Sequence, residues 1–150
     1  MKLVIQRVNH ASVKIDGQVN GAIEKGFMIL VGSEKGDNQA TVEWLANKIA
    51  KLRVFEDENG KMNLNIHQVE GKILSVSQFT LLAELEHGNR PSFKAAGDPA
   101  EAKKMYEAFN SALENKELEV QTGVFGADMQ VDLENDGPAT FELNYQVHND

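Results

Sequence analysis

The spacing of apolar residues changes period several times along this chain, and each change marks an element. Lys2 to Val8 reads as a strand, and Ala11, Val13 and Ile15 then alternate with polar neighbours. Asp16-Gly17 is a strong two-residue hairpin signal, after which Val19, Gly21 and Ile23 resume the alternation. The unbroken apolar run Phe27 to Val31, following Gly26, predicts a strand buried on both faces. The interval then lengthens. Val42, Leu45, Ile49 and Leu52 recur at helical spacing, which predicts a helix through about Lys51 with Asp37 or Asn38 as its cap. Arg53 to Phe55 is a short strand, Glu58-Asn59-Gly60 a turn, and Met62, Leu64 and Ile66 alternate again. Lys72 to Phe79 is a strand rich in β-branched residues.

A loop from Ala83 to Gly97, containing Gly88-Asn89-Arg90-Pro91, precedes a clear helix start. There Asp98 is the expected cap, Pro99 suits the first helical position and Glu101 completes a capping box. Ala102, Met105, Tyr106, Phe109 and Leu113 form the apolar stripe of that helix. Glu119 to Thr122, Met129 to Leu133 and Thr140 to Val147 read as three more strands, the last two joined by Asn135-Asp136-Gly137-Pro138. About eight strands and two main helices result. The helices do not alternate regularly with the strands, which disfavours a doubly wound parallel sheet. The expectation is one α+β domain over residues 1–150, barrel-like, with mostly antiparallel or mixed strands.

Composition narrows the chemistry. With no cysteine there can be no disulfide, thiolate metal site or cysteine nucleophile. The apolar run Phe27 to Val31 is too short to span a bilayer, and Gln6 and Arg7 interrupt the apolar start, which does not read as a signal peptide. A cytoplasmic protein with no membrane partner is expected. The net charge of −8 argues against general nucleic-acid binding and against a DNA partner. All fifteen Lys and Arg lie at or before Lys116, whereas Glu117 to Asp150 holds eight acids and neither basic residue. An RNA partner would have to meet a local basic surface, for which Arg90, Lys94, Lys103 and Lys104 are candidates. The alternative is that these are solvated surface charges.

Two segments could carry chemistry. Ser77, Gln78, Phe79 and Thr80 cluster hydrogen-bonding side chains and backbone amides where a strand runs into a loop. Amides in such a place can stabilise an oxyanion. The same residues also fit a plain strand with Val76 and Phe79 packed and Ser77 and Gln78 wet. Gly137-Pro138 is the second segment. Neither residue has a bulky flexible side chain, so their carbonyls can approach a ligand and receive an ammonium group. An ordinary tight turn fits equally. His10, His67, His87 and His148 show no metal-ligand spacing, so neither metal nor cofactor is expected.

Taken together, Ser77-Gln78-Phe79-Thr80-Leu81 and the set Asn135, Gly137, Pro138 and Thr140 resemble the paired signatures of the D-aminoacyl-tRNA deacylase family. Gln6-Arg7-Val8, Ala11-Ser12-Val13, Lys61-Met62-Asn63, Arg90-Pro91-Ser92-Phe93, Gln121-Thr122-Gly123 and Ala127-Asp128-Met129 are also similar to that family, in order along nearly the whole chain. The resemblance implies a homodimer that hydrolyses the ester of D-aminoacyl-tRNA, accepting glycyl-tRNA as well. It implies a cis Gly137-Pro138 bond reaching into the partner subunit's pocket, opposite Ser77 to Thr80. Met129 would then contact substrate, Asn135 and Thr140 would support the motif, and Arg7 would brace it by donating to its carbonyls.

If the carbonyls of Gly137 and Pro138 hold the α-amino group, the other substituents on Cα have fixed directions. A D side chain points to solvent, an L side chain runs into the carbonyls, and glycine has nothing to reject. Thr80 is the obvious protein nucleophile, yet no base for it is evident. The resemblance favours the RNA 2′-hydroxyl and an activated water, with Gln78 and Thr80 positioning the ester and the terminal adenosine. The backbone near Phe79 would stabilise the oxyanion. Rival readings are a metal-dependent ester hydrolase, which needs His10, His67 and His87 to converge with acids; a non-catalytic RNA-binding module, which needs a basic face with stacking aromatics; and an interaction protein using the acidic C-terminal segment.

Overall fold

The computed structural model describes residues 1–147; His148 lies outside them. Eight strands and two α-helices occur among the described residues: β1 (Lys2–Ile15), β2 (Gln18–Ile23), β3 (Gly26–Gly32), α1 (Gln39–Lys51), β4 (Phe55–Glu56), β5 (Met62–Leu64), β6 (Lys72–Ser77), α2 (Pro99–Glu114), β7 (Val120–Thr122) and β8 (Gln130–Asn144). A single 3-10 turn, Phe79–Leu82, follows β6. No described helix is long and apolar enough to cross a membrane.

β1 organises the main sheet. On one edge it pairs antiparallel with β8 over most of its length. On the other edge its first half pairs with β3 and its second half with β2, both antiparallel. β3 continues in parallel to β6, and β6 to β7. Parallel neighbours need long crossovers, and α1 and α2 are parts of those two crossovers. β2 curls back beside β7, where Asn20 Nδ2 donates to the Thr122 carbonyl at 2.7 Å. The sheet is therefore mixed and nearly closes into a barrel, with β4 and β5 as a separate small hairpin.

Two cores lie on either side of this sheet. The larger takes Leu3, Ile5, Phe27, Ile29, Val31 and Ile73 from the strands against Val42, Leu45 and Ile49 of α1 and Met105, Phe109 and Leu113 of α2. The smaller holds Val8, Ala11, Val13, Ile23, Met28, Leu74 and Val76 inside the barrel. Full burial of each such side chain contributes roughly 1.5–3 kcal/mol. The alternation read in β1 and the helical spacing read in α1 are thus real, while in β2 Gly21 and Ile23 are buried but Val19 is exposed, because the pairing with β1 shifts register after Val13. β3, read as buried on both faces, supplies Phe27, Ile29 and Val31 to one core and Met28 to the other.

Several boundaries differ from the sequence reading. The two strands expected at Lys2–Val8 and Ala11–Ile15 are one strand, because β8 pairs along both. Likewise Met129–Leu133 and Thr140–Val147 do not form a pair of strands around a turn. They are parts of one strand, β8, ending at Asn144, and both parts run antiparallel to β1. Asn38 caps α1 through Thr41 N at 2.9 Å, while Asp37 pairs with the Met1 ammonium at 2.7 Å. Asp98 makes no side-chain cap on α2, so the expected capping box is absent there; Pro99 does occupy the first turn.

Candidate active site

β6 ends at Ser77, two residues earlier than its sequence suggested, and the chain tightens into the 3-10 turn. Gln78 N donates to the Val31 carbonyl at 2.8 Å, which ties the start of the turn to β3. Gly32 makes this possible. A Cβ there would collide with Leu82 Cδ2 and lie 3.1 Å from Leu81 Cβ. The turn leaves Phe79 58% exposed, against the plain-strand alternative that would pack it. Gln78 Nε2 donates to Thr80 Oγ1. The amides of Phe79 and Thr80 find no backbone acceptor among the described residues.

Ser77, Gln78 and Phe79 line one wall of a pocket of about 370 Å³. Met129 lines it too, and the other walls bring Tyr106, Phe125 and Gly97. Thr80 is not among the lining residues and is exposed. Sequence reasoning missed Tyr106, which it placed in the apolar stripe of α2. Tyr106 is buried, and its hydroxyl donates to the Ser75 carbonyl at 2.6 Å. Burial pushes its phenol up. This bond ties α2 to β6 two residues before Ser77. A tyrosine in a helical stripe whose hydroxyl needs a buried partner was the only available signal.

Gly137 and Pro138 lie elsewhere. They sit in a bulge of β8, and their peptide bond is cis. Gln6 and Val8 on β1 face Thr140 and Asn135 on β8, so five steps along β8 oppose two along β1 and three residues are extra. Asn135 closes the base of the bulge, with Nδ2 donating to the carbonyls of Arg7 and Ala139, both at 3.2 Å. Gly137 is needed here for close approach, since a Cβ would lie 2.7 Å from Asn135 Oδ1. Thr140 Oγ1 accepts from Gln6 Nε2 at 3.3 Å, and Thr140, Gly137 and Pro138 are exposed.

Arg7 is buried beneath the bulge. Its Nε donates to the Asp136 carbonyl at 3.1 Å and pairs with the Asp136 carboxylate at 3.1 Å, while Nη1 donates to the Val54 carbonyl at 2.6 Å. Its contact is thus with the carbonyl preceding Gly137, and not with those of Gly137 and Pro138.

The two segments are therefore apart within one chain. β1 and β3 lie between β8 and β6, a separation of three strand spacings, about 14 Å. Along the strands they are also offset: through β3 and β1, Ser77 lies level with Leu143, well past the bulge. Ser77, Gln78, Phe79 and Met129 share the pocket; Arg7, Asn135, Gly137, Pro138 and Thr140 form a second group.

The basic candidates Arg90, Lys94, Lys103 and Lys104 are exposed. Histidines do not gather: His10 lies 3.5 Å from Glu134, and His87 lies with Glu84 and Glu86 in an exposed loop, the one grouping of possible metal ligands among the described residues.

Comparisons with known proteins agree along almost the whole length. The family described as D-Tyr-tRNA(Tyr) deacylase matches residues 4–144. A D-aminoacyl-tRNA deacylase of Lactobacillus gasseri is 58% identical over 144 residues, covering 96% of this chain and 99% of that protein. One of Saccharophagus degradans is 53% identical over 143 residues, covering 95% and 99%. A solved structure described as c-Myc DNA unwinding element binding protein superposes with a TM-score of 0.91 at 41% identity, covering 98% of this chain and all of that one. A probable eukaryotic D-amino acid tRNA deacylase has a TM-score of 0.77 at 13% identity, covering 95% and 98%, and shares the fold.

Proposed function

The chain belongs to the D-Tyr-tRNA(Tyr) deacylase family, and on that premise we propose that it hydrolyses the ester between a D-amino acid and the terminal ribose of tRNA, in a site that two copies of the chain complete together. The pocket beside Ser77, Gln78, Phe79 and Met129 receives the terminal adenosine and the ester. A size of about 370 Å³ and largely apolar walls suit such a group. The amide of Phe79, which lines the pocket and is free of a backbone acceptor among the described residues, faces the developing oxyanion. The attacking group is water, assisted by the adjacent 2′-hydroxyl of the RNA, because Thr80 has only Gln78 against it and no base.

The second copy lends the carbonyls of Gly137 and Pro138. They accept the α-ammonium of the substrate and so fix the directions of the remaining substituents on Cα. A D side chain then leaves toward solvent, an L side chain meets the carbonyls, and glycyl-tRNA passes the same test. The observation that carries this reading is the separation of the two segments. Within one chain β1 and β3 stand between the bulge and the pocket, so a site containing both needs a second chain.

Mixing inactive variants tests this directly. A Gly137→Val protein keeps its own pocket, and a Gln78→Ala protein keeps its own bulge. In a mixed dimer one of the two composite sites is intact, so co-refolded variants should regain D-tyrosyl-tRNA hydrolysis that neither shows alone. No gain in a demonstrated heterodimer would reject the shared site. Rates on D-tyrosyl-, L-tyrosyl- and glycyl-tRNA then test selectivity, and equal rates on the D and L esters would reject the exclusion argument.

A further inference from the structure

We propose that Phe93, set against Phe79 at the pocket mouth, stacks a nucleobase of the single-stranded 3′ end lying upstream of the terminal adenosine; this rests on the deacylase reading. The two rings sit 5.0 Å apart at 54°, and both are exposed, Phe79 by 58% and Phe93 by 38%. Two large aromatics open to water side by side are costly unless something covers them. Phe79 also lines the pocket, so the exposed pair continues the surface that takes the terminal nucleoside.

The loop carrying Phe93 is held in place. Glu84 and Ser92 exchange backbone hydrogen bonds at 2.7 and 3.0 Å, and Glu84 Oε1 also accepts from His87 N at 3.1 Å. Downstream, Lys35 N donates to the Ala95 carbonyl at 3.2 Å and Gly97 N to that of Ser33 at 3.0 Å. Phe93 is thus presented by a pinned segment and needs little ordering on binding.

Charge identifies the occupant as a nucleic-acid strand. Arg90 and Lys94, on either side of Phe93 in sequence, are exposed, and neither has an ion-pair partner among the described residues. Aromatic faces for bases beside free cations for phosphates are the combination that single-stranded nucleic acid requires. A stacked base tolerates any identity, since each has a π-face, and this fits an enzyme reading a common strand end.

The test compares D-tyrosyl-tRNA with the D-tyrosyl ester of adenosine alone, using Phe93→Ala and Phe93→Tyr. Phe93→Ala should raise KM for the tRNA ester by roughly tenfold more than for the adenosine ester, with kcat little altered. Phe93→Tyr, which keeps a ring, should behave as wild type. Equal penalties on both esters would mean that Phe93 only props Phe79 and would overturn the proposal, as would equal KM values throughout or a changed oligomeric state in Phe93→Ala. If wild type turned over neither ester, the deacylase reading would fall and this proposal with it.

Discussion

Arg7 Nε lies 3.1 Å from both the main-chain oxygen and the carboxylate of Asp136, so a buried guanidinium grips the bulge one residue before Gly137. Nη1 reaches 2.6 Å to the Val54 carbonyl at the same time. An ammonium cannot span both directions. Arg7→Lys should lose about 1.5–3 kcal/mol of stability for the bonds it drops, read as a lower denaturant midpoint. D-tyrosyl-tRNA turnover should fall with it. An unchanged midpoint would show that the grip carries no weight.

Gly137→Ala forces its Cβ to within 2.7 Å of Asn135 Oδ1 unless that side chain leaves its carbonyl partners. A cost of about 1–3 kcal/mol is expected. Asn135→Gly removes the obstacle, so the cost of Gly137→Ala should shrink in that background. A double-mutant cycle with no coupling would contradict the contact.

Thr80→Ala should keep substantial deacylation, because Thr80 stands outside the lining of the pocket and has Gln78 as its side-chain partner. Single-turnover rates on D-tyrosyl-tRNA check this. Loss of essentially all turnover, with substrate binding and fold intact, would restore Thr80 as nucleophile.

Tyr106→Phe removes the 2.6 Å bond to the Ser75 carbonyl, for about 1 kcal/mol below pH 9. Burial holds the phenol above its ordinary value of 10.0. The unfolded chain therefore ionises first as pH rises, and the contribution of this group to stability is present below that value and lost above it. Wild type should lose more stability than Tyr106→Phe as pH rises past 10.0. Parallel curves above that pH would deny the burial effect.

The elements with strong periods were legible in the chain itself. α1 and α2 follow from Val42, Leu45 and Ile49 and from Met105, Phe109 and Leu113, and the hairpin at Asp16-Gly17 follows from its turn chemistry. β8 was not, because Asn135-Asp136-Gly137-Pro138 suits a turn and a bulge equally. Only the register against β1, a contact more than a hundred residues away, separates the two. The strand expected through Phe79 stops at Ser77, because the chain tightens into a 3-10 turn whose Leu81 and Leu82 pack where a side chain at Gly32 would stand. Paired signatures singled out both groups, yet local pattern could not say that one lines a pocket and the other lies three strand spacings away.

The bulge has an arithmetical role in the core as well. Before it, Val131 and Leu133 pack inside the barrel; after it, Phe141 and Leu143 pack against the helical layer on the other face. Eight residues separate Leu133 from Phe141, but three of them lie in the bulge and only five ladder steps remain, an odd number that puts the two side chains on opposite faces. β1 makes the same switch, from Leu3 and Ile5 to Ala11 and Val13, with one inserted residue at Asn9. Excising residues 136–138 would leave Leu133 and Phe141 five residues apart, with Asn135, Ala139 and Thr140 facing Val8, Arg7 and Gln6, so both apolar groups would keep their faces. Natural or engineered variation in this loop should therefore be tolerated in odd or even steps alike, provided that the ladder partners on either side are kept.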